Sequence, residues 1–220
     1  IATGFRTLKN VDARVQGKMA FTGNPVRPVV LEAAKVPYAA PEDELRLLVF
    51  GGSQGAHVMA EIVPPAVGKL APDLRARLRI VQQARAEDIE RVAESYRQSR
   101  TSVELASFVA DLPERIADAH LVIGRAGAST VTELCVIGRP AILIPLPGAL
   151  DSDQKHNALF LQEGGGGWVA EQATLSPQSL ATRLHELLSD PDQLKRAASA
   201  AAAASAARAP TTVAAIFISI

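Results

Sequence analysis

Short apolar runs, often β-branched, alternate along this chain with longer stretches of helical period. The runs fall at 47–50, 78–81, 103–108, 121–123, 141–144 and 168–170, and the helical stretches near 55–70, 86–98, 111–118, 128–137, 154–163 and 177–189. A strand that is apolar on both faces must be covered on both faces. The alternation therefore predicts a parallel sheet with helices on either side. Together these elements make one doubly wound, Rossmann-like α/β domain over residues 46–208. Capping chemistry agrees at three helix starts, namely Asp111, Asp153, and Ser176 followed by Pro177.

Outside that domain the pattern breaks down. Residues 1–45 hold Gly4, Gly17, Gly23, Pro25, Pro28, Pro37 and Pro41 with short apolar pieces between them, and read as a tail and a linker. Pro25 and Pro28 each disfavour helix at the preceding residue, so 24–28 is expected to be extended or turned. The chain starts in mid-pattern without a Met, which points to further sequence upstream. Residues 197–207 are only Ala and Ser, a stretch that favours helix by propensity but offers little to bury. Pro210 ends it, and 211–220 is expected to form a last short helix.

Composition narrows the function. With 48% hydrophobic and 21% charged residues, the chain can build a packed core. Lys plus Arg and Asp plus Glu are both 23, so the basic surplus that nucleic-acid binding needs is missing and no nucleic-acid partner is expected. Cys135 stands alone, which excludes an intramolecular disulfide and any multi-cysteine zinc site and fits a reducing compartment. On the buried side of its helix, Cys135 reads as core. His57, His120, His156 and His185 sit on separate elements with no pair at metal-ligand spacing, so neither a metal nor a cofactor is expected. His57, at a helix start, reads as a surface residue more readily than as a phosphate contact. No apolar run approaches the ~20 residues that span a bilayer, and no signal peptide is visible, which predicts a soluble cytoplasmic chain.

The candidate chemistry lies where strands hand over to helices. Phe50-Gly51-Gly52-Ser53-Gln54-Gly55-Ala56 follows one buried strand, and Val122-Ile123-Gly124-Arg125-Ala126-Gly127-Ala128-Ser129-Thr130 follows another. Glycines let the backbone approach a ligand closely, and a helix N-terminus supplies N–H donors and a positive dipole end. One such turn is either a phosphate cradle or a plain tight turn; two in one sheet point to a nucleoside diphosphate. Neither is a Walker loop or a Gly-x-Gly-x-x-Gly fingerprint. Glu133, one or two turns into the second helix, either accepts from a ribose diol or complements the helix dipole. After a third strand, Asp153 and Gln154 start another helix, as a cap and a solvated residue or as partners for sugar hydroxyls. The glycine run at 164–167 reads as a helix stop and a turn.

Taken together, Thr22-Gly23-Asn24-Pro25-Val26-Arg27, Gly51-Gly52-Ser53-Gln54-Gly55-Ala56, Arg125-Ala126-Gly127-Ala128-Ser129-Thr130-Val131-Thr132-Glu133-Leu134 and Asp153-Gln154-Lys155-His156-Asn157-Ala158 resemble the MurG family of N-acetylglucosaminyltransferases. The resemblance spans essentially the whole chain in motif order and spacing. It implies a GT-B arrangement of two Rossmann-like domains, of which this chain is the C-terminal, UDP-GlcNAc-binding part. Residues 1–45 would be the end of the acceptor domain plus linker, and 209–220 the helix that returns to that domain. The resemblance implies Arg27 and Ser53 near the diphosphate, Gln54 in the donor site, and the Val109 backbone at the uracil edge. It further implies Ala128, Ser129 and Thr130 along the phosphates and ribose, Glu133 on the diol, and Asp153 and Gln154 at the GlcNAc hydroxyls. Asp153 departs from the usual His or Gln, though a carboxylate still accepts from hydroxyls.

The implied reaction is metal-independent inverting transfer of GlcNAc to lipid I, giving lipid II for peptidoglycan. The resemblance implies that the acceptor, the catalytic base and contact with the inner face of the bacterial membrane would belong to an N-terminal domain that this chain is expected to lack. The alternatives are another GT-B enzyme using a UDP-sugar, such as a glycolipid glycosyltransferase or a UDP-GlcNAc 2-epimerase, and a non-catalytic UDP-sugar-binding subunit.

Overall fold

A computed structural model of the chain describes residues 2–3, 12–21, 23–148 and 153–205. The last segment with its expected short helix lies outside them, as does Thr22. Near the start, β1 (Ala2–Thr3) and β2 (Ala20–Phe21) pair in parallel, with α1 (Ala13–Gln16) between them in sequence. The Asp12 side chain caps α1 by accepting from the Arg14 N–H at 2.8 Å. Helix α2 (Pro28–Ala33) then begins with Pro28 at its first position, after an extended Arg27, where the missing proline N–H costs nothing. The segment 23–27 that leads into it is free of regular structure, in keeping with Pro25 within it and Pro28 directly after it.

The chain continues as β3 (Leu45–Phe50), α3 (Gly52–Gly68), α4 (Pro72–Arg77), β4 (Leu78–Gln83), α5 (Ile89–Gln98), β5 (Ser102–Ala106), α6 (Leu112–Asp118), β6 (Leu121–Gly124), α7 (Ala128–Ile137), β7 (Ala141–Leu143), α8 (Asp153–Glu163), β8 (Gly167–Val169), α9 (Pro177–Leu188) and α10 (Pro191–Ala204). The six strands from β3 onward form one parallel sheet in the order β5-β4-β3-β6-β7-β8. This is the doubly wound sheet that the alternation predicts. Ser176 caps α9 in a reciprocal box with Ser179, and Pro177 opens the helix. Asp111 precedes α6, but its carboxylate is turned to Arg115 at 2.9 Å. Asp153 is the first residue of α8 rather than its cap.

Side-chain alternation splits the core between the two faces of the sheet. Leu45, Leu47 and Val49 face Met59, Val63 and Val67 of α3, Tyr96 of α5 and Leu184 of α9. Leu48 and Phe50 face Ile116 of α6, Leu134 and Cys135 of α7 and Leu161 of α8. Each such buried side chain stabilises the fold by about 1.5–3 kcal/mol relative to exposure. Val30 and Ala33, one turn apart on α2, join the second cluster, so part of the expected linker packs onto the domain.

The alanine-rich stretch buries more than its composition suggests. Leu194, Ala197, Ala198 and Ala201 form the inner face of α10, which lies on α7. Methyl-sized side chains let the helix come very close: a Cβ added at Gly166 would fall 2.8 Å from the Cα of Ala201. The glycine run is therefore a place of close backbone approach as well as a turn.

His120, next to β6, is buried beneath Tyr38. Its Nδ1 accepts from the Arg46 N–H at 3.0 Å, so the neutral ring carries its proton on Nε2. Burial, reinforced by the Arg46 charge, pushes its pKa down to about 4. The unfolded chain therefore takes up a proton near pH 6.5 that the folded chain refuses until about pH 4. Stability should fall over that window as pH drops, by roughly 3 kcal/mol, and level off below it. In His120→Asn, urea unfolding followed from pH 7 to pH 4 should lose that component. An undiminished slope in the variant would place its origin elsewhere.

Candidate nucleotide-sugar site

Strand β3 lies beside β6 in the middle of the sheet, and the connections run outward from that pair in both directions. At such a switch point the loops leaving the two carboxyl ends diverge and leave a crevice. A cleft of about 400 Å³ opens there. Gly51 and Gly52 border it on the β3 side, Gly127 and Thr130 on the β6 side, Phe108 and Val109 at one end, and Leu146 and Gln154 at the other.

The structure thus brings Val109, Thr130 and Gln154 to one cavity. Gln154 Oε1 accepts from the Leu146 N–H at 3.0 Å, which fixes the loop after β7 and leaves the Nε2 donors available to a ligand. Arg125, buried at the cleft floor, steadies the same loop by donating to the carbonyls of Ile144 at 3.0 Å and Pro145 at 3.2 Å. Burial lowers the pKa of this guanidinium. Asn157 Nδ2 donates to the Ala126 carbonyl at 3.1 Å and so ties α8 to the turn before α7. Phe108 is 75% exposed, an aromatic face presented at the edge of the cavity.

The two glycine turns are not equivalent. Gly127 stands at the cap position of α7 with no side chain closing the helix end, and exposed Ala128 and Ser129 begin its first turn. That end is open to an anion. At the other turn, the Gly51 and Gly52 N–H groups both donate to Gln83 Oε1, at 3.3 and 3.1 Å. Ser53 and Gln54 lie in the first turn of α3.

Arg27 and Glu133, read separately as phosphate and ribose contacts, meet each other at 3.4 Å. Glu133 stands in the second turn of α7 with its side chain 12% exposed, whereas the Arg27 side chain is 60% exposed. One residue away, Asn24 Nδ2 donates to Thr132 Oγ1 at 3.1 Å, so the segment before α2 is clipped to α7 at two points. Neither Arg27, Glu133, Ala128, Ser129 nor Asp153 lines the cavity wall; Asp153 is exposed at the start of α8. His57 is turned away, its Nδ1 3.0 Å from buried Asp88 and its Nε2 3.2 Å from Glu61. The His57 hydrogen bond, with help from Arg91, holds the Asp88 carboxyl below the usual range. Cys135 is buried in the core.

An open parallel α/β sheet with a crevice at its switch point, an uncapped helix end and a buried carboxylate one turn beyond it has the architecture of a Rossmann-like domain. Residues 46–213 match the glycosyltransferase family 28 C-terminal domain, and the chain belongs to that family, the C-terminal half of a GT-B architecture. It is 51% identical, over 99% of its own length, to the UDP-N-acetylglucosamine--N-acetylmuramyl-(pentapeptide) pyrophosphoryl-undecaprenol N-acetylglucosamine transferase of Methylobacterium sp. strain 4-46, of which it covers 59%. The protein of the same name from Rhodospirillum rubrum is 56% identical over 80% of this chain and 46% of its own length. The crystal structure of Acinetobacter baumannii MurG aligns with a TM-score of 0.69 at 30% identity, over 80% of this chain and 51% of that one. The chain spans about half to three-fifths of the length of these relatives.

Proposed function

We propose that this chain is the donor-binding part of an N-acetylglucosaminyltransferase that moves GlcNAc from UDP-GlcNAc to lipid I, with inversion, to make the peptidoglycan precursor lipid II. The observation that carries the reading is the cleft at the β3–β6 switch point, where Val109, Thr130 and Gln154 converge. Uracil would pair with the Val109 main chain, and Glu133 would accept from the ribose diol. The diphosphate would lie at the open N-terminus of α7, where N–H groups and the dipole stabilise the charge that builds on departing UDP. Arg27 would turn from Glu133 to that diphosphate; at its exposure the existing pair is worth under about 1 kcal/mol, a small cost to the exchange. The Nε2 of Gln154 would donate to a hydroxyl of the sugar.

Acceptor recognition, the base that takes the acceptor proton and contact with the cytoplasmic membrane face would come from the part of the relatives' length that this chain does not span. The chain should therefore bind UDP and UDP-GlcNAc in calorimetry yet form no lipid II from lipid I until the remaining half is supplied. No UDP binding at millimolar ligand would overturn the site. Lipid II formed by the chain alone would overturn the division of labour.

A further inference from the structure

Two loops form facing borders of the cleft, the β3–α3 turn at 51–52 and the β5–α6 stretch at 107–109, and one side chain joins them. Gln83 ends β4, the strand between β3 and β5. Alternation along β4 sends Gln82 into the core, where its Oε1 accepts from the Tyr96 hydroxyl at 2.5 Å, and sends Gln83 to the cleft. There Oε1 accepts from the Gly51 and Gly52 N–H groups at 3.3 and 3.1 Å, while Nε2 donates to the Ser107 carbonyl at 3.2 Å. Two donors at one end and a carbonyl at the other fix which way the carboxamide faces. Gly52 has φ +64°, a conformation that suits glycine, and nothing lies within 4 Å of where a Cβ would stand. Ser107 directly precedes the two residues that wall the far end of the cavity.

We infer that Gln83 is a positioning residue for the nucleotide: it sets the separation between the base-side wall and the glycine turn, so that a ligand long enough to span both meets them in register. The inference rests on the cleft's being a UDP site. Gln83 needs no contact with the ligand for this. Its carboxamide bridges the two borders as a strut and takes up the Gly51 and Gly52 N–H groups, whereas the α7 end has no side-chain cap. A residue of this kind has a distinctive signature. Removing it barely alters the binding of a fragment that touches one wall, but erodes the advantage of a ligand that joins both.

The test uses the full chain titrated with UDP, uridine and inorganic pyrophosphate, by calorimetry for the first and NMR shifts for the weaker two. Gln83→Met removes both ends of the strut; Gln83→Asn keeps the polarity but is one methylene too short to reach both walls. Each variant should lose about tenfold in UDP affinity while uridine and pyrophosphate stay within about threefold of the parent, because the loss is in the gain from linking two subsites. Two variants that match the parent for UDP overturn the role of Gln83, and so does a loss spread equally over all three ligands, which marks a merely structural residue. A parent that binds none of the three overturns the reading of the cleft itself.

Discussion

Arg139→Met should destabilise the protein by about 3–5 kcal/mol, a loss of roughly 10 °C or more in Tm for a domain of this size. Arg139 is 2% exposed and follows Gly138, the C-cap of α7. Its Nε donates to the Ala117 carbonyl at 2.9 Å, Nη1 to Ile137 at 2.8 Å, and Nη2 to Val36 at 3.0 Å. Ala117 and Ile137 lie at the ends of α6 and α7, and Val36 just beyond α2, so a cation sits where helix C-termini direct their negative dipole ends. The guanidinium also lies 5.4 Å from the centroid of the Tyr38 ring. Methionine fills much of the volume but leaves buried carbonyl oxygens with no donor, and each such orphan costs about 1–3 kcal/mol. Lysine should recover only part of the loss, since one ammonium cannot match the planar fork. Urea unfolding of the variants at neutral pH checks this; a Met variant within about 1 kcal/mol of the parent would mean that water or backbone shifts satisfy those carbonyls.

The second large effect concerns the ligand. Glu133→Ala should raise the dissociation constant for UDP about tenfold or more, because charge-assisted hydrogen bonds to the ribose are worth roughly 1.5–3 kcal/mol. With 2′,3′-dideoxy-UDP, parent and variant should bind almost equally. The Arg27 contact sharpens the comparison, since the variant also loses the partner of Arg27 at 3.4 Å. Arg27→Ala therefore serves as a control: it should weaken the diphosphate contact but retain the preference for the intact ribose. Glu133→Ala keeping that preference would reduce Glu133 to an anchor for Arg27 and α7.

The sheet was legible in the sequence because strands buried on both faces leave unbroken apolar runs such as Leu47-Leu48-Val49-Phe50. The runs misled where the cleft begins. The apolar stretch ending at Phe108 reads as strand throughout, yet β5 stops at Ala106; Ser107 and Phe108 leave the ladder, and Phe108 walls the cavity. Helix α4 has only six residues, too few for a period to show. Glycine turns marked the borders of the cleft, where Gly51, Gly52 and Gly127 stand, since few other residues suit a strand that must turn tightly into a helix. The pairing of Arg27 with Glu133, 106 positions apart, leaves no local mark. Nor does Gln83, which in sequence is one more glutamine at a strand end, or Arg139, whose partners are backbone oxygens from three separate helices and their flanks.

The sheet order also bears on how the cleft comes into being. Strands β3, β4 and β5 pair with their neighbours in sequence, as do β6, β7 and β8; within the six-stranded sheet, only the β3–β6 ladder joins strands more than seventy residues apart. Closing that long loop costs chain entropy before any contact across it is made, so each trio can assemble before the trios join. The cavity lies on the joint and has no existence in either trio. A ligand held there can grip the native state but not the half-assembled one, so saturating nucleotide should slow unfolding and leave the refolding rate nearly unchanged. Amide protons of the Leu47–Phe50 and Leu121–Gly124 ladder should gain the most exchange protection.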